Sequence, residues 1–198
     1  MNHYFTDNAE ISHNRRVISF RFLGIDFQFN SDNGVFSKNN VDFGSELLLK
    51  AMSDQDLGSD VLDLGCGYGV IAIVLQKISG CKMTAIDINS RAIELTEMNS
   101  SLNQVNLNAI INDGLNNLVG TYNTIVTNPP IRAGKETVYR FFDQAFVHLC
   151  KNGTLWVVIR KKQGAESAIK ELNRLFGNCI VFSSKKSYLV LKSSKDVD

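Results

Sequence analysis

Apolar and polar positions alternate well over residues 14–30 of the chain. Val17, Ser19 and Arg21 share one parity, and Ile18, Phe20 and Phe22 share the other. After Leu23-Gly24, the residues Ile25, Phe27 and Phe29 alternate with polar partners. This predicts a β-hairpin with a tight turn at Gly24 and a phenylalanine-rich face that must pack on something. Turn formers crowd residues 31–45, and a helix is expected over 46–52 with Asp42 or Ser45 as its cap.

From residue 61 the pattern changes to strands alternating with helices. Strands are expected at 61–64, 82–87, 108–112, 122–127 and 154–160. Helices are expected at 70–78, from 89 or 90 to 103, at 135–150 and at 164–176, with a closing hairpin of 179–182 and 187–191. Residues 70–75 are apolar all round and rich in β-branched types, so periodicity alone allows a strand there. Their place directly after a glycine turn favours a buried helix. The alternation predicts an α/β fold, a doubly wound, mostly parallel seven-stranded Rossmann-like sheet with an N-terminal β-hairpin extension. Residues 1–45 form the hairpin and a covering segment in this reading, and residues 46–198 form one compact unit.

Composition narrows the class. The chain has 198 residues, 44% hydrophobic and 21% charged, enough apolar matter for a sizeable core. No apolar run reaches the roughly 18 residues of a membrane span, and residues 1–7 lack the basic and apolar regions of a signal peptide. Cys66, Cys81, Cys150 and Cys179 show no C-x-x-C spacing, so neither a zinc site nor a disulfide framework is expected, and a cytoplasmic location is. Net charge is +1, but residues 151–198 carry 10 Lys/Arg against 4 Asp/Glu. That basic third is as compatible with a solvated surface as with a nucleic-acid partner.

In parallel sheets, ligands sit beyond the C-terminal ends of the strands. The expected strand ends here carry Asp63-Leu64-Gly65, then Asp87, then Asn112-Asp113, then Asn128-Pro129-Pro130. Three acids and an asparagine at four successive ends converge on one crevice. After the first strand comes Gly65-Cys66-Gly67-Tyr68-Gly69. Glycine lets a ligand lie against bare backbone, and the following helix N-terminus offers free N–H groups. A dinucleotide fingerprint needs G-x-G-x-x-G; here Val70 stands where the third glycine would fall.

These residues resemble a known family. Asp63 to Gly69, the acid Asp87 and Asn112-Asp113 look like the motifs of class I S-adenosylmethionine-dependent methyltransferases. Asn128-Pro129-Pro130-Ile131 is similar to the [DN]-P-P-x motif of members that methylate planar nitrogens. Gly34-Val35-Phe36-Ser37 with residues 42–48 is similar to the bacterial small-subunit ribosomal RNA guanine-N2 methyltransferases, and in particular to their short single-domain members. The resemblance implies S-adenosyl-L-methionine as cofactor, held at its methionine part by Asp63, Gly65, Cys66, Gly67 and Gly69. It implies Asp87 on the ribose hydroxyls, Ile88 on the adenine face and Asp113 at the adenine amino group, with Asn112 and Asn128 also among the cofactor-binding residues and Phe36 in the segment that closes over the cofactor. Ribosomal RNA or the small ribosomal subunit is the partner it implies, with no membrane and with either a monomer or a homodimer.

The chemistry expected at Asn128 follows from the acceptor. A guanine exocyclic amine is a poor nucleophile because its lone pair is delocalised into the ring. Two acceptors aimed at its hydrogens, the Asn128 side-chain carbonyl and the Pro129 backbone carbonyl, favour a pyramidal nitrogen, and Pro130 helps to stiffen the loop. Holding both reactants in line contributes about 7–11 kcal/mol. Where related enzymes often carry Tyr or Phe to stack on the base, this chain has Ile131, which forgoes part of the ~1–3 kcal/mol of aromatic stacking. Arg132 and Lys135 follow in the same loop as candidates for RNA phosphates or as solvated charges. Methylation of another planar nitrogen, adenine-N6 or protein glutamine, and a non-catalytic RNA- or cofactor-binding module are the alternatives.

Overall fold

A computed structural model describes residues 12–196. Residues 1–7, read above for a leader, lie outside them. The hairpin consists of β1 (Arg16–Phe22) and β2 (Ile25–Ser31), joined by Leu23 and Gly24. Both turn residues have positive φ, at 48° and 81°, as a two-residue turn matching strand twist requires. Ile18, Phe22, Phe27 and Phe29 are buried, so the expected apolar face is the packed one.

What the face packs on is α3 (Ser90–Leu102) and the helix-rich side of the main sheet, whose buried residues belong to the same apolar cluster. The outer edge of β2 is closed by side chains rather than by a third strand. Asn99 accepts the Asn30 N–H at 2.6 Å and donates to the Asn30 carbonyl at 2.9 Å. Asn103, one helical turn on, repeats the pair at Gln28, accepting at 3.1 Å and donating at 2.7 Å. A primary amide offers the same donor and acceptor as a peptide group, so two asparagines on one helix face stand in for a neighbouring strand and cover an exposed edge.

The main sheet has seven strands: β3 (Asp60–Leu64), β4 (Lys82–Asp87), β5 (Asn108–Ile111), β6 (Tyr122–Thr127), β7 (Leu149–Arg160), β8 (Ile180–Lys185) and β9 (Tyr188–Ser194). Their spatial order is β5-β4-β3-β6-β7-β9-β8. The first five run parallel, and β9 and β8 are antiparallel additions. Strand order reverses between β3 and β6, which opens a crevice beyond their C-terminal ends. Helices α1 (Phe43–Met52), α2 (Val70–Ser79), α4 (Lys135–His148) and α5 (Ala165–Phe176) complete the two layers. Among the described residues no helix is long and apolar enough to cross a membrane.

The ambiguous segment at residue 70 is a helix, buried at every position from Val70 to Leu75. The expected helix over 135–150 stops earlier, at His148. Leu149 is extended at φ −83°, ψ 137°, is fully buried, and already pairs with Tyr122. Both His148 ring nitrogens are engaged, with the Gln144 and Leu118 carbonyls at 2.9 and 3.2 Å, so this histidine is a packed residue.

Candidate functional site

The glycine turn lies against the end of β4. The Gly65 and Cys66 N–H groups both donate to the Ile86 carbonyl, at 2.8 and 2.9 Å. From the other side α3 holds the turn's carbonyls: Thr96 donates to Gly67 at 2.9 Å and Asn99 to Tyr68 at 2.9 Å. Asn99 therefore ties the hairpin edge to the turn. Two glycines are required for separate reasons. A Cβ on Gly69, at φ 89°, would come 2.9 Å from Thr96. A Cβ on Gly67, at φ 56°, would meet no atom within 4 Å and would instead project into open space.

Helix α2 starts at Gly69, which has no side chain to cap it. Asp63, reaching up from β3, accepts the Ala72 N–H at 3.1 Å and supplies that cap. Asp63 is wholly buried, its other oxygen has no hydrogen-bond partner among the described residues, and burial pushes its carboxyl up to about 7. Asp87 accepts the Gly67 N–H at 2.8 Å and the Asn89 N–H at 2.9 Å. Burial raises it to about 6 against the pull of those donors. Burial also pushes the Cys66 thiol well up, so it is no nucleophile.

A cavity of about 350 Å³ opens over this turn. Phe36, Gly65, Cys66 and Gly67 line it near the turn, and Asp87, Ile88, Asn112 and Asp113 line it along β4 and β5. Asn128, Pro129 and Pro130 form its far wall. Asp63 and Gly69 lie beneath the wall rather than in it. Asp113 is held by Arg140 in a bidentate pair at 2.6 and 2.7 Å, and Arg140 lines the cavity too. Asn112 donates to the Gly114 and Asn116 carbonyls, shaping the loop after β5.

The segment before α1 is strapped across the opening. Asn89 donates to the Gly34 carbonyl at 2.9 Å, Arg91 to the Asn33 carbonyl at 3.0 Å, and Tyr68 to the Ser37 carbonyl at 3.3 Å. A second, more open hollow of about 590 Å³ lies on the other side of Asn128 and Pro129. Ile131 and Arg132 line it, together with Lys38, Arg160, Gln163 and Tyr188. Lys135 lines neither space; its ammonium stands 4.9 Å over the Tyr139 ring.

Asn128 and Pro129 stand between the two hollows, and both carbonyls have fixed directions. Pro130 has φ −74° and ψ 79°, and the Pro129 carbonyl accepts the Ile131 N–H at 2.8 Å. This is an inverse γ-turn, which pins the Pro129 oxygen and leaves it one lone pair. The Asn128 amide nitrogen donates to Asp42 Oδ2 at 3.2 Å and to Ser45 Oγ at 3.0 Å. With its nitrogen turned to α1, its oxygen is the end presented to the crevice. Asp42 is also the N-cap of α1, accepting the Gly44 and Ser45 N–H groups at 2.8 and 3.2 Å.

In the sequence Asp42 and Ser45 are cap candidates within the front segment that resembles the guanine-N2 methyltransferases, and Arg140, Arg160 and Tyr188 carry no expectation. Arg160 ends β7, so the strand-end rule that found Asp87 and Asn128 would also have found it. No local signal marks Tyr188, whose relevance comes from the antiparallel pairing of β9.

The reversed-order parallel sheet, the glycine turn with acids at the next strand ends, and Asn-Pro-Pro at the fourth define a class I S-adenosylmethionine-dependent methyltransferase. The chain belongs to the methyltransferase small domain family, whose family model matches residues 26–192. It is similar to the uncharacterized protein YbxB of Bacillus subtilis (strain 168), 41% identical over 197 residues and 98% of each chain. It also resembles ribosomal RNA small subunit methyltransferase C of Marinomonas sp. (strain MWYL1), 37% identical over 136 residues, covering 63% of this chain but 38% of that relative. Among solved structures it resembles the T. thermophilus 16S rRNA N2 G1207 methyltransferase (RsmC) in complex with AdoMet and guanosine. The TM-score is 0.84 and the identity 26%, covering 91% of this chain and 50% of the other. The chain thus spans half or less of the length of these two methyltransferases.

Proposed function

We propose that this protein transfers a methyl group from S-adenosylmethionine to the exocyclic N2 of a guanine in small-subunit ribosomal RNA, in the cytoplasm. The observation that carries the reading is the Asn128 amide, which lines both hollows with its nitrogen bonded to Asp42 and Ser45, so that its oxygen is left to accept. The RNA and the guanine come from the named relatives, and the atom chemistry comes from the site.

The residues present fit the cofactor. Gly67 leaves bare backbone where a side chain would fill the cavity. Asp87 is held by the Gly67 and Asn89 N–H groups, with the Ile88 N–H also drawn to it, and a carboxylate's remaining acceptor capacity suits ribose hydroxyls. Ile88, 38% exposed on the cavity wall, offers an apolar face to the adenine. Asp113, fixed by Arg140, keeps lone pairs for an amino group. Asp63 acts from beneath the turn, holding the first turn of α2 under the methionine part. Phe36 and its neighbours cover the site.

The bound cofactor supplies an electrophilic methyl on a sulfonium. Asn128 Oδ1 and the Pro129 carbonyl accept the two hydrogens of the target amine and turn its lone pair toward that carbon. The N–C bond forms as the S–C bond breaks, the bonding pair goes to sulfur, and the extra proton leaves the nitrogen for solvent. Neutral acceptors suffice, so no general base is required. The target base occupies the second hollow, beside Ile131, with Arg132 and Lys38 at its rim for phosphates. A base inside a duplex cannot reach it, so the target is flipped or single-stranded.

Tritiated-methyl transfer tests this directly. Small ribosomal subunits from cells lacking the gene should accept label as N2-methylguanosine, while release factors and adenine-only RNA should not. Label in protein glutamine or in adenine-N6 would overturn the assignment of the acceptor.

A further inference from the structure

Hydrogen-bond polarity runs one way from the end of β7 to the Asn128 amide. A guanidinium only donates, and Arg160 Nε lies 2.6 Å from the Tyr188 hydroxyl. That hydroxyl accepts from Arg160, so its own proton is left for Asp42 Oδ1, 3.4 Å away. A carboxylate only accepts, and Asp42 Oδ2 is 3.2 Å from Asn128 Nδ2. Ser45, at 3.0 Å, cannot set the direction of the amide, because a hydroxyl satisfies either end. Asp42 can. A flipped Asn128 would aim its oxygen at the carboxylate.

Packing is built around the same contact. A Cβ on Gly44 would stand 2.8 Å from both Asp42 Oδ2 and Tyr188 Cε1, so the Tyr188 ring lies on bare helix backbone. Arg160 and Tyr188 are opposite partners in the β7–β9 ladder. The guanidinium also lies 4.8 Å from the Tyr188 ring centroid, and the Phe43 ring packs at 5.6 Å. The tyrosine is buried, is absent from the wall of the 350 Å³ cavity, borders the second hollow beside Arg160, and meets the Asn128 amide through Asp42.

We propose that Tyr188, oriented by Arg160, is a positioning residue for methyl transfer: it fixes Asp42 and thereby the direction in which the Asn128 amide presents its oxygen. The proposal rests on the reading of Asn128 as an acceptor for the target amine. It assigns a purpose to a glycine in α1, to the last residue of β7 and to the first of β9, none of which the cofactor requires.

Tyr188→Phe keeps the ring and removes the hydroxyl. On small ribosomal subunits from cells lacking the gene, with tritiated-methyl cofactor, kcat should fall about ten-fold. KM and the cofactor dissociation constant should stay within about two-fold. Gly44→Ala, whose Cβ would press on both the ring and Asp42 Oδ2, should lower kcat at least as much. Asn128→Ser retains an acceptor that has no wrong end; in that background Tyr188→Phe should cost nothing further. Full kcat in Tyr188→Phe overturns the proposal, as does an equal further loss in the Asn128→Ser background or a matching loss of cofactor affinity. If Asn128→Ala alone keeps full turnover, the underlying reading of Asn128 fails and the proposal falls with it.

Discussion

The two walls of the crevice are made of different material. On the β3–β4 side the ligand surface is mostly backbone: a glycine turn whose N–H groups bond to Ile86 and Asp87, and whose carbonyls are held by Thr96 and Asn99. On the β6 side it is one side-chain amide and one proline carbonyl, aimed by residues from α1 and β9. In the proposed reading, a backbone wall fixed by the fold binds a constant group, the cofactor. A side-chain wall has an orientation that neighbours set, and in the same reading its effect falls on the reacting nitrogen. Binding and chemistry are thus separable, and substitutions should divide along that line.

The largest effect is expected at Asn128. Asn128→Ala should lower methyl transfer on the order of a hundred-fold or more, by analogy with losing one aimed polar group at a reacting centre. Calorimetry should show cofactor binding unchanged, and a parallel loss of affinity would erase the distinction between the walls. Asp87→Ala should do the reverse. Loss of even one hydrogen bond to a charged group costs about 1.5–3 kcal/mol, so the cofactor dissociation constant should rise at least about ten- to a hundred-fold, with much less change in kcat at saturation.

The same carboxyl gives a pH signature. Burial holds Asp87 up at about 6 in the free protein. Ribose hydroxyls donating to it favour the charged form, so its pKa falls on binding. The complex then holds fewer protons than the free protein, and affinity should rise with pH through about 6 and level off above it. Calorimetry in buffers of different ionisation enthalpy should detect proton release near pH 6 and almost none at pH 8.

A smaller effect is expected where the hairpin meets the turn. Asn99→Ala removes donors and acceptors from Asn30 and Tyr68 together. Urea unfolding should show a loss of about 1–3 kcal/mol, and cofactor affinity should fall only modestly, because Thr96 still holds the Gly67 carbonyl. The smallest change is at the rim: Arg132→Ala should reduce the slope of log affinity for RNA against log salt by about one, without changing cofactor binding.

The backbone wall was legible because its parts are close in the chain or repeat at strand ends. Asp63 to Gly69 is one stretch, and the positions of Asp87 and Asn112, like that of Asn128 on the other wall, follow from a rule about parallel sheets. Even there, Asp63 turned out to lie beneath the turn as the cap of α2, because Gly69 has no side chain to do it. The pairing of Asp113 with Arg140 was not legible, since nothing in the order of residues brings the loop after β5 onto α4. The orientation of Asn128 was hidden for the same reason. Asp42 is 86 residues away and Tyr188 is 146 residues from Asp42. The hairpin's phenylalanines announced a packed face, but the amide pair of Asn99 and Asn103 that closes its edge looks, as sequence, like ordinary helix surface.

The central claim is that the oxygen of Asn128 serves a guanine N2 on ribosomal RNA. Mass mapping of small-subunit RNA from cells with and without the gene tests it most directly, with the deletion strain complemented by the wild-type chain or by Asn128→Ala. One N2-methylguanosine should vanish on deletion, return with the wild-type chain, and stay absent with Asn128→Ala. An unchanged set of N2-methylguanosines after deletion, or full restoration by Asn128→Ala, would contradict it.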